Sequence, residues 1–236
     1  MCIRDRLDKA FEALKTYDWG MEPNLLQPID EAIISTHGDA AARKDLETRL
    51  GAVLKTEASR DAKDVVCRAL KTIGTAASVP ALAALLADEK LSHMARYALE
   101  RISAPEAGQA LRTALAKVQG KLKIGMISSL GVRGEDASLA PLQALLADSD
   151  AAVAQAAAYA LGAIGSLGAA KTLVTAKPSA ATQAAIADAS MECAENLLAS
   201  GNQVAAKATY EKLLTGSPTK QVKLAATLGM KACAGK

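Results

Sequence analysis

The sequence predicts an all-α fold, an α-solenoid of stacked antiparallel helix pairs, and three observations predict it. First, the chain repeats itself. Ser78-Val-Pro-Ala-Leu-Ala-Ala-Leu-Leu-Ala-Asp88 returns as Ser138-Leu-Ala-Pro-Leu-Gln-Ala-Leu-Leu-Ala-Asp148, and a degenerate copy, Glu106-Ala-Gly-Gln-Ala-Leu-Arg-Thr-Ala-Leu-Ala116, lies between them. Second, each copy is paired with a second helical pattern whose recurring leucines, Leu70, Leu99, Leu130 and Leu161, stand 29, 31 and 31 residues apart. A period near thirty with two helices per unit marks a solenoid, in which each repeat packs only on its neighbours. Third, hydrophobic residues make up 50% of the chain but aromatics only 3%. Alanine and leucine supply the apolar mass; alanine is the best helix former, and its small side chain lets helices approach closely. No run of β-branched residues bounded by turns suggests a strand.

The elements follow in order. Residues 7–17 read as an amphipathic helix carrying Leu7, Phe11 and Leu14 on one stripe. Asp18 to Asn24 breaks it, and Pro28 opens the next helix, where its missing N–H costs little. That helix turns Ile29, Ala32 and Ile33 inward. Gly38-Asp39 is a stop followed by a cap, with Asp39 accepting from the free amides of a helix that runs to about Lys55. Ser59 or Asp61 starts its partner, which ends at Gly74. The next pairs are 79–87 with 91–102, 105–118 with 121–132, and 139–147 with 151–164; a looser one is 169–176 with 180–199. Pro80 and Pro141 fall at or just inside the start of a first helix. Asp88 and Asp148 fall where first helix turns into second, placed to cap that helix or to bond the turn.

This gives four segments: 1–6, 7–38 as an N-terminal helical cap, 39–176 as the repeats, and 177–236 as a helical extension. Met-Cys-Ile-Arg-Asp-Arg is what a transposase adapter used in sequencing libraries would encode, so residues 1–6 read as non-native and the chain as a fragment. The formal charge of +3 gives no basic stripe, and no nucleic-acid partner is expected. Lys117, Lys121 and Lys123 read as a solvated turn. Four scattered cysteines show no metal or redox spacing; Cys67 and Cys193 read as buried small hydrophobes, and the compartment stays open. The longest uncharged run, twenty residues between Asp150 and Lys171, is mostly Ala and Gly and reads as a buried helix and turn rather than a membrane span.

The units resemble HEAT repeats, specifically the short bacterial type named after phycobilin lyases. The residues that carry the resemblance are Val79-Pro-Ala-Leu with Leu85-Leu86 and Asp88, and Arg96 with Ala98-Leu99 and Ile102. Leu139, Leu142, Leu145-Leu146 and Asp148 repeat them, with Ala160-Leu161-Gly162 and Ile164-Gly165. Arg133 stands where the pattern wants Ile, so the middle unit is degenerate. The tail from Gly201 through Ala206 and Tyr210 to Pro218 is similar to the second half of a tetratricopeptide unit, although Ser190 and Ala194 replace the aromatic and glycine of its first helix. The resemblance implies a bacterial repeat protein that binds other proteins. It also implies two rivals: an accessory region of a larger sugar-active or haem-containing enzyme, and a lyase- or chaperone-like protein acting on a cofactor-bearing partner. Fold alone does not decide among these.

No catalytic, cofactor-binding or metal-binding residue is expected. The two histidines, His37 and His93, lack a ligand spacing, and His37 sits at a helix end where it complements the dipole. Gly131-Val-Arg-Gly134 is too short to cradle a phosphate. Aligning the second helices by their leucines leaves one face opposite the buried stripe. It carries Asp64, Arg68 and Lys71; then His93, Tyr97 and Glu100; then Ile124, Ser128 and Gly131; then Gln155, Tyr159 and Gly162. In a HEAT-like solenoid the second helices line the concave surface. Asp64, Arg68, His93, Tyr97, Glu100 and Tyr159 are therefore the candidate partner-binding residues, tyrosine being enriched at interface hot spots. Trp19, the one tryptophan, reads as a plug at the N-terminal end of the stack, or alternatively as an exposed anchor.

Overall fold

The structure, a computed structural model, describes residues 3–215 and 218–234. Among the described residues there are fourteen α-helices and no strand, as the periodicity predicts. The fold is an all-α solenoid of packed helices. The chain divides by packing into two units, one running to Val118 and one starting at Gln119.

The first unit holds α1 (Ile3–Leu14), α2 (Gln27–Ser35), α3 (Ala40–Val53), α4 (Arg60–Ile73), α5 (Val79–Ala83), α6 (Ser92–Leu99) and α7 (Pro105–Leu115). Helices α2, α4 and α6 pack side by side as one layer, and α3, α5 and α7 form the layer behind it. The starts are set locally. Asp39 accepts from the Ala42 N–H at 2.9 Å, Ser59 from the Ala62 N–H at 3.0 Å, and prolines occupy the first turns of α2, α5 and α7. Each satisfies or removes an amide that the helix itself cannot pair. The core between the layers is Leu46 and Leu50 against Val66, Leu70 and Ile73, continuing through Leu82, Leu86, Leu99 and Leu111, all buried.

The second unit holds α8 (Gly120–Arg133), α9 (Leu139–Leu145), α10 (Ala151–Ile164), α11 (Leu167–Thr175), α12 (Gln183–Ala199), α13 (Gln203–Leu214) and α14 (Lys220–Cys233). Here α8, α10 and α12 form one layer, with α9, α11 and α13 the other. The contacts between α8, α10 and α12 run through very small residues. A Cβ placed on Gly131 would lie 2.9 Å from the Ala160 Cα, and one on Gly162 would lie 2.9 Å from the Ala189 Cα. Dispersion contacts between the backbones replace the large side chains that such an alanine-rich layer lacks.

Several expectations shift. Helix α1 begins at Ile3 rather than Leu7, and Arg6 Nη2 pairs with Glu31 at 3.2 Å. Met1 and Cys2 of the segment read as non-native lie outside the described residues. Helices α5 and α9 start where their patterns do, after 3-10 turns at Ala76–Ser78 and Asp136–Ser138, but end early, at Ala83 and Leu145, where tight turns take over. Asp88 bonds its turn, accepting from the N–H groups of Lys90 at 2.7 Å and Leu91 at 3.0 Å; it is not the helix cap. Asp148 does the same for Asp150, which itself caps α10. Lys123 is not a solvated turn residue: its Nζ reaches Asp148 Oδ2 at 2.8 Å, and both side chains are largely covered. Cys67 and Cys193 are buried, as expected, and burial pushes their thiols up to about 12 and about 11. No described helix is long and apolar enough to cross a membrane.

Candidate partner-binding surface

In the first unit the exposed side of the α2–α4–α6 layer is built from the expected i, i+4, i+7 positions. Arg68 Nε donates to Asp64 Oδ2 at 3.0 Å, one turn back on α4. One turn further on, Lys71 Nζ donates to the Tyr97 hydroxyl at 2.8 Å and lies 4.5 Å from the centre of its ring. Tyr97 is 41% exposed. The bond from Lys71 holds the Tyr97 hydroxyl below the ordinary tyrosine pKa, and the charges of Lys71, Arg68 and Arg101 add to the effect. On α6, His93 Nδ1 lies 3.4 Å from Arg96 Nη2, and Glu100 is half-buried at the helix end. Asp64, Arg68, His93, Tyr97 and Glu100 thus share one layer of one unit.

Trp19 joins this surface from the segment between α1 and α2. The Ser59 hydroxyl, which caps α4, also donates to the Tyr17 carbonyl, and the Trp19 N–H reaches Asp61 Oδ2 at 3.4 Å. These bonds latch the segment to the start of α4. Tyr17 is buried, and Trp19 stands edge-on to it at 5.7 Å. The plug is therefore Tyr17. Trp19 is 52% exposed, and the Arg68 guanidinium sits 5.7 Å from its ring centre. Between α2 and α4 lies an open cleft of about 450 Å³ with Ile29, Ile33 and Val65 in its walls and Trp19 and Arg68 at its rim. Ile34, 75% exposed, borders the same cleft.

In the second unit Tyr159 is 48% exposed on α10. It lines a shallow groove of about 370 Å³ with Ile124, Ser128, Val132 and Glu192. Gly131 and Gly162, placed by the sequence pattern on the exposed face, are instead buried against the next helix of the layer. A glycine adds nothing to a periodicity, so the pattern does not show that a neighbouring backbone occupies its place. The sequence also misses a cleft of about 470 Å³ among α11 to α14, walled by Leu173, Ile186, Leu213 and Val222 with Asp188 and Lys212 beside it. Its walls come from four helices whose apolar positions each read as ordinary core.

Among the described residues no group of three or more His, Cys, Asp or Glu side chains could hold a metal ion. His37 follows the last turn of α2 and is exposed.

With this geometry in view, residues 116–190 match the HEAT repeats family model. No curated protein sequence matches the chain. Among solved structures, human deoxyhypusine hydroxylase in complex with glycerol is 14% identical with a TM-score of 0.36, over 99% of this chain and 98% of that one. An archaeal HEAT-like repeats protein from Thermococcus onnurineus NA1 is 15% identical with a TM-score of 0.39, over 98% of this chain and 92% of that one.

Proposed function

We propose that this chain is a non-catalytic protein-interaction scaffold that engages a protein partner through the exposed faces of its second-helix layers. The observation that carries the reading is that Trp19 and Tyr97 in the first unit, and Tyr159 in the second, are about half exposed although neither core uses them. Large aromatics cost solubility when left in water, and interfaces concentrate their binding energy on such residues. Asp64, Arg68, His93 and Glu100 share the exposed layer with Tyr97 and supply the polar groups an interface rim would need. The near-neutral balance of charge, +3 over the whole chain, argues for protein rather than nucleic acid. The sequence offers no nucleophile and base in a recognisable spacing, which is why a scaffold is preferred to an enzyme or to a lyase-like protein.

The test is partner recovery from native extract by the wild type, by Tyr97→Ala, by Tyr159→Ala and by Lys44→Ala on the exposed side of α3. Truncating a central interface tyrosine costs about 2 kcal/mol or more, so at least one tyrosine variant should lose the partner while Lys44→Ala keeps it. Equal recovery by all four rejects the reading.

A further inference from the structure

The first unit carries two features side by side that together describe a ligand. One is apolar: the cleft between α2 and α4, of about 450 Å³, with Ile33 and Ile34 on one side and Trp19 at its rim. The other is cationic. Arg68 and Lys71 on α4 and Arg101 just after α6 all bear on the Tyr97 hydroxyl. Arg68 links the two, lying 5.7 Å from the Trp19 ring while Lys71, one turn on, touches Tyr97. Tyr97 accepts its bond from Lys71, and its own O–H proton is left to donate to an incoming acceptor. Lys71 has three protons and uses one on Tyr97. The Tyr97 hydroxyl and Lys71 thus offer free donors beside a hydrophobic slot.

We propose that this face binds an acidic peptide segment, with an apolar side chain entering the Trp19–Ile34 cleft and an adjacent carboxylate taken by Lys71, the Tyr97 hydroxyl and Arg101. The proposal rests on the scaffold reading above and adds the chemistry of the occupant. Charge complementarity at the Tyr97 hydroxyl selects that occupant: the charges that bear on it are those of Lys71, Arg68 and Arg101, so a carboxylate brought there gains a charge-assisted bond from Lys71 and the attraction of Arg101. The carboxylates around the cations argue against a nucleic-acid strand. Asp64 holds Arg68, Asp30 lies on the cleft, Asp61 is beside Trp19, and Glu100 precedes Arg101. A continuous phosphate backbone would meet these negative groups, whereas a single acidic side chain reaches between them.

Trp19 is the only tryptophan in the chain, so its fluorescence reports this site alone. The probes are a synthetic peptide with a central phenylalanine flanked by glutamates, the same peptide with glutamines, the same with lysines, and oligothymidylate. The acidic peptide should shift Trp19 emission saturably and bind at least roughly tenfold more tightly than the glutamine peptide. Its affinity should fall roughly tenfold or more in Lys71→Met and in Arg101→Ser, and should weaken with added salt. Both substituted residues have solvent access, and circular dichroism checks that each variant folds. Equal binding of the glutamine or lysine peptide, preference for oligothymidylate, or no response to the acidic peptide overturns the proposal. The scaffold reading is judged separately, by whether Tyr97→Ala or Tyr159→Ala loses the native partner.

Discussion

Glu47 on α3 and Ser78 at the start of the next repeat are joined by a hydrogen bond of 2.5 Å between the Ser78 hydroxyl and Glu47 Oε1. The same carboxylate accepts from the Thr75 N–H at 2.7 Å and from the Thr75 hydroxyl at 2.9 Å. Glu47 is buried, and a buried carboxylate is tolerated only when its oxygens are satisfied in this way. The bonds tie the back layer of one repeat to the turn that opens the following one. Glu47→Ala would leave the Thr75 N–H and Ser78 hydroxyl without this acceptor, at a cost of about 1–3 kcal/mol. A lowered urea midpoint with an unchanged slope is the expected result, and Glu47→Gln, which keeps one acceptor oxygen, should lose less. A midpoint unmoved by Glu47→Ala would show that the bonds do not hold the turn.

Two glycines in helices should respond in opposite directions to the same change. A Cβ on Gly51 of α3 meets nothing within 4 Å, so Gly51→Ala should gain the helix-propensity difference, about 0.5–1 kcal/mol. A Cβ on Gly162 would lie 2.9 Å from both the Ala189 Cα and its carbonyl oxygen. These are backbone atoms and cannot rotate away. Overpacking costs about 1–3 kcal/mol and outweighs the propensity gain, so Gly162→Ala should destabilise. Thermal unfolding of the two variants decides it; a Gly162→Ala protein more stable than wild type would mean that α10 and α12 are further apart.

The Tyr97 hydroxyl should ionise earlier than a free tyrosine, since Lys71 bonds it and stabilises the phenolate. For an acid whose folded pKa is lowered, the linked stability is present above the unfolded pKa and is lost as pH falls through the folded one. An ultraviolet titration, wild type minus Tyr97→Phe, should place this group below the ordinary tyrosine range, near 10. Lys71→Met should return it there. A difference curve centred at or above the ordinary value would contradict the contact.

Cys67 should resist thiol reagents in the native state. Desolvation by burial, with the nearby Asp64 charge adding to it, raises the thiol to about 12, so almost no thiolate exists at neutral pH. The folded pKa is raised, so the linked stability is present below the unfolded thiol pKa and is lost as pH rises toward about 12. Maleimide labelling of Cys67 at neutral pH should be slow in buffer and fast in denaturant, with a rate that follows opening of α4. Fast labelling of Cys67 in folded protein would place it at the surface.

What was legible in the sequence was local. Asp39, Ser59 and the proline at position 28 act within a few residues of themselves, so the helix starts they set could be read directly. Leu70, Leu99, Leu130 and Leu161 are all fully buried, because a helical period places them on one stripe whatever the neighbours are. Arg68, Tyr97 and Tyr159 are exposed for the same reason, being opposite that stripe. The pairings were not legible. Lys71 and Tyr97 lie 26 residues apart, and Trp19 reaches α4 across 42, so no local pattern links them. Helices α5 and α9 were overestimated because alanine and leucine favour helix whether or not the turn that follows has begun.

Helices that meet through glycine and alanine present nearly flat sides to each other. Such contacts fix how far apart α8, α10 and α12 stand, but they resist sliding poorly. A slip of one turn, roughly 5.4 Å, would bring Ala156 to the place of Ala160 opposite Gly131, with little change in volume. The Lys123–Asp148 pair cannot follow that slip: a bond of 2.8 Å between two mostly covered charges would be broken and both would be left unpaired. The pair therefore acts as a stop along the axis of α8. Its expected contribution is to favour one alignment among several of similar packing energy, because the bond is directional where the small-residue contacts are not.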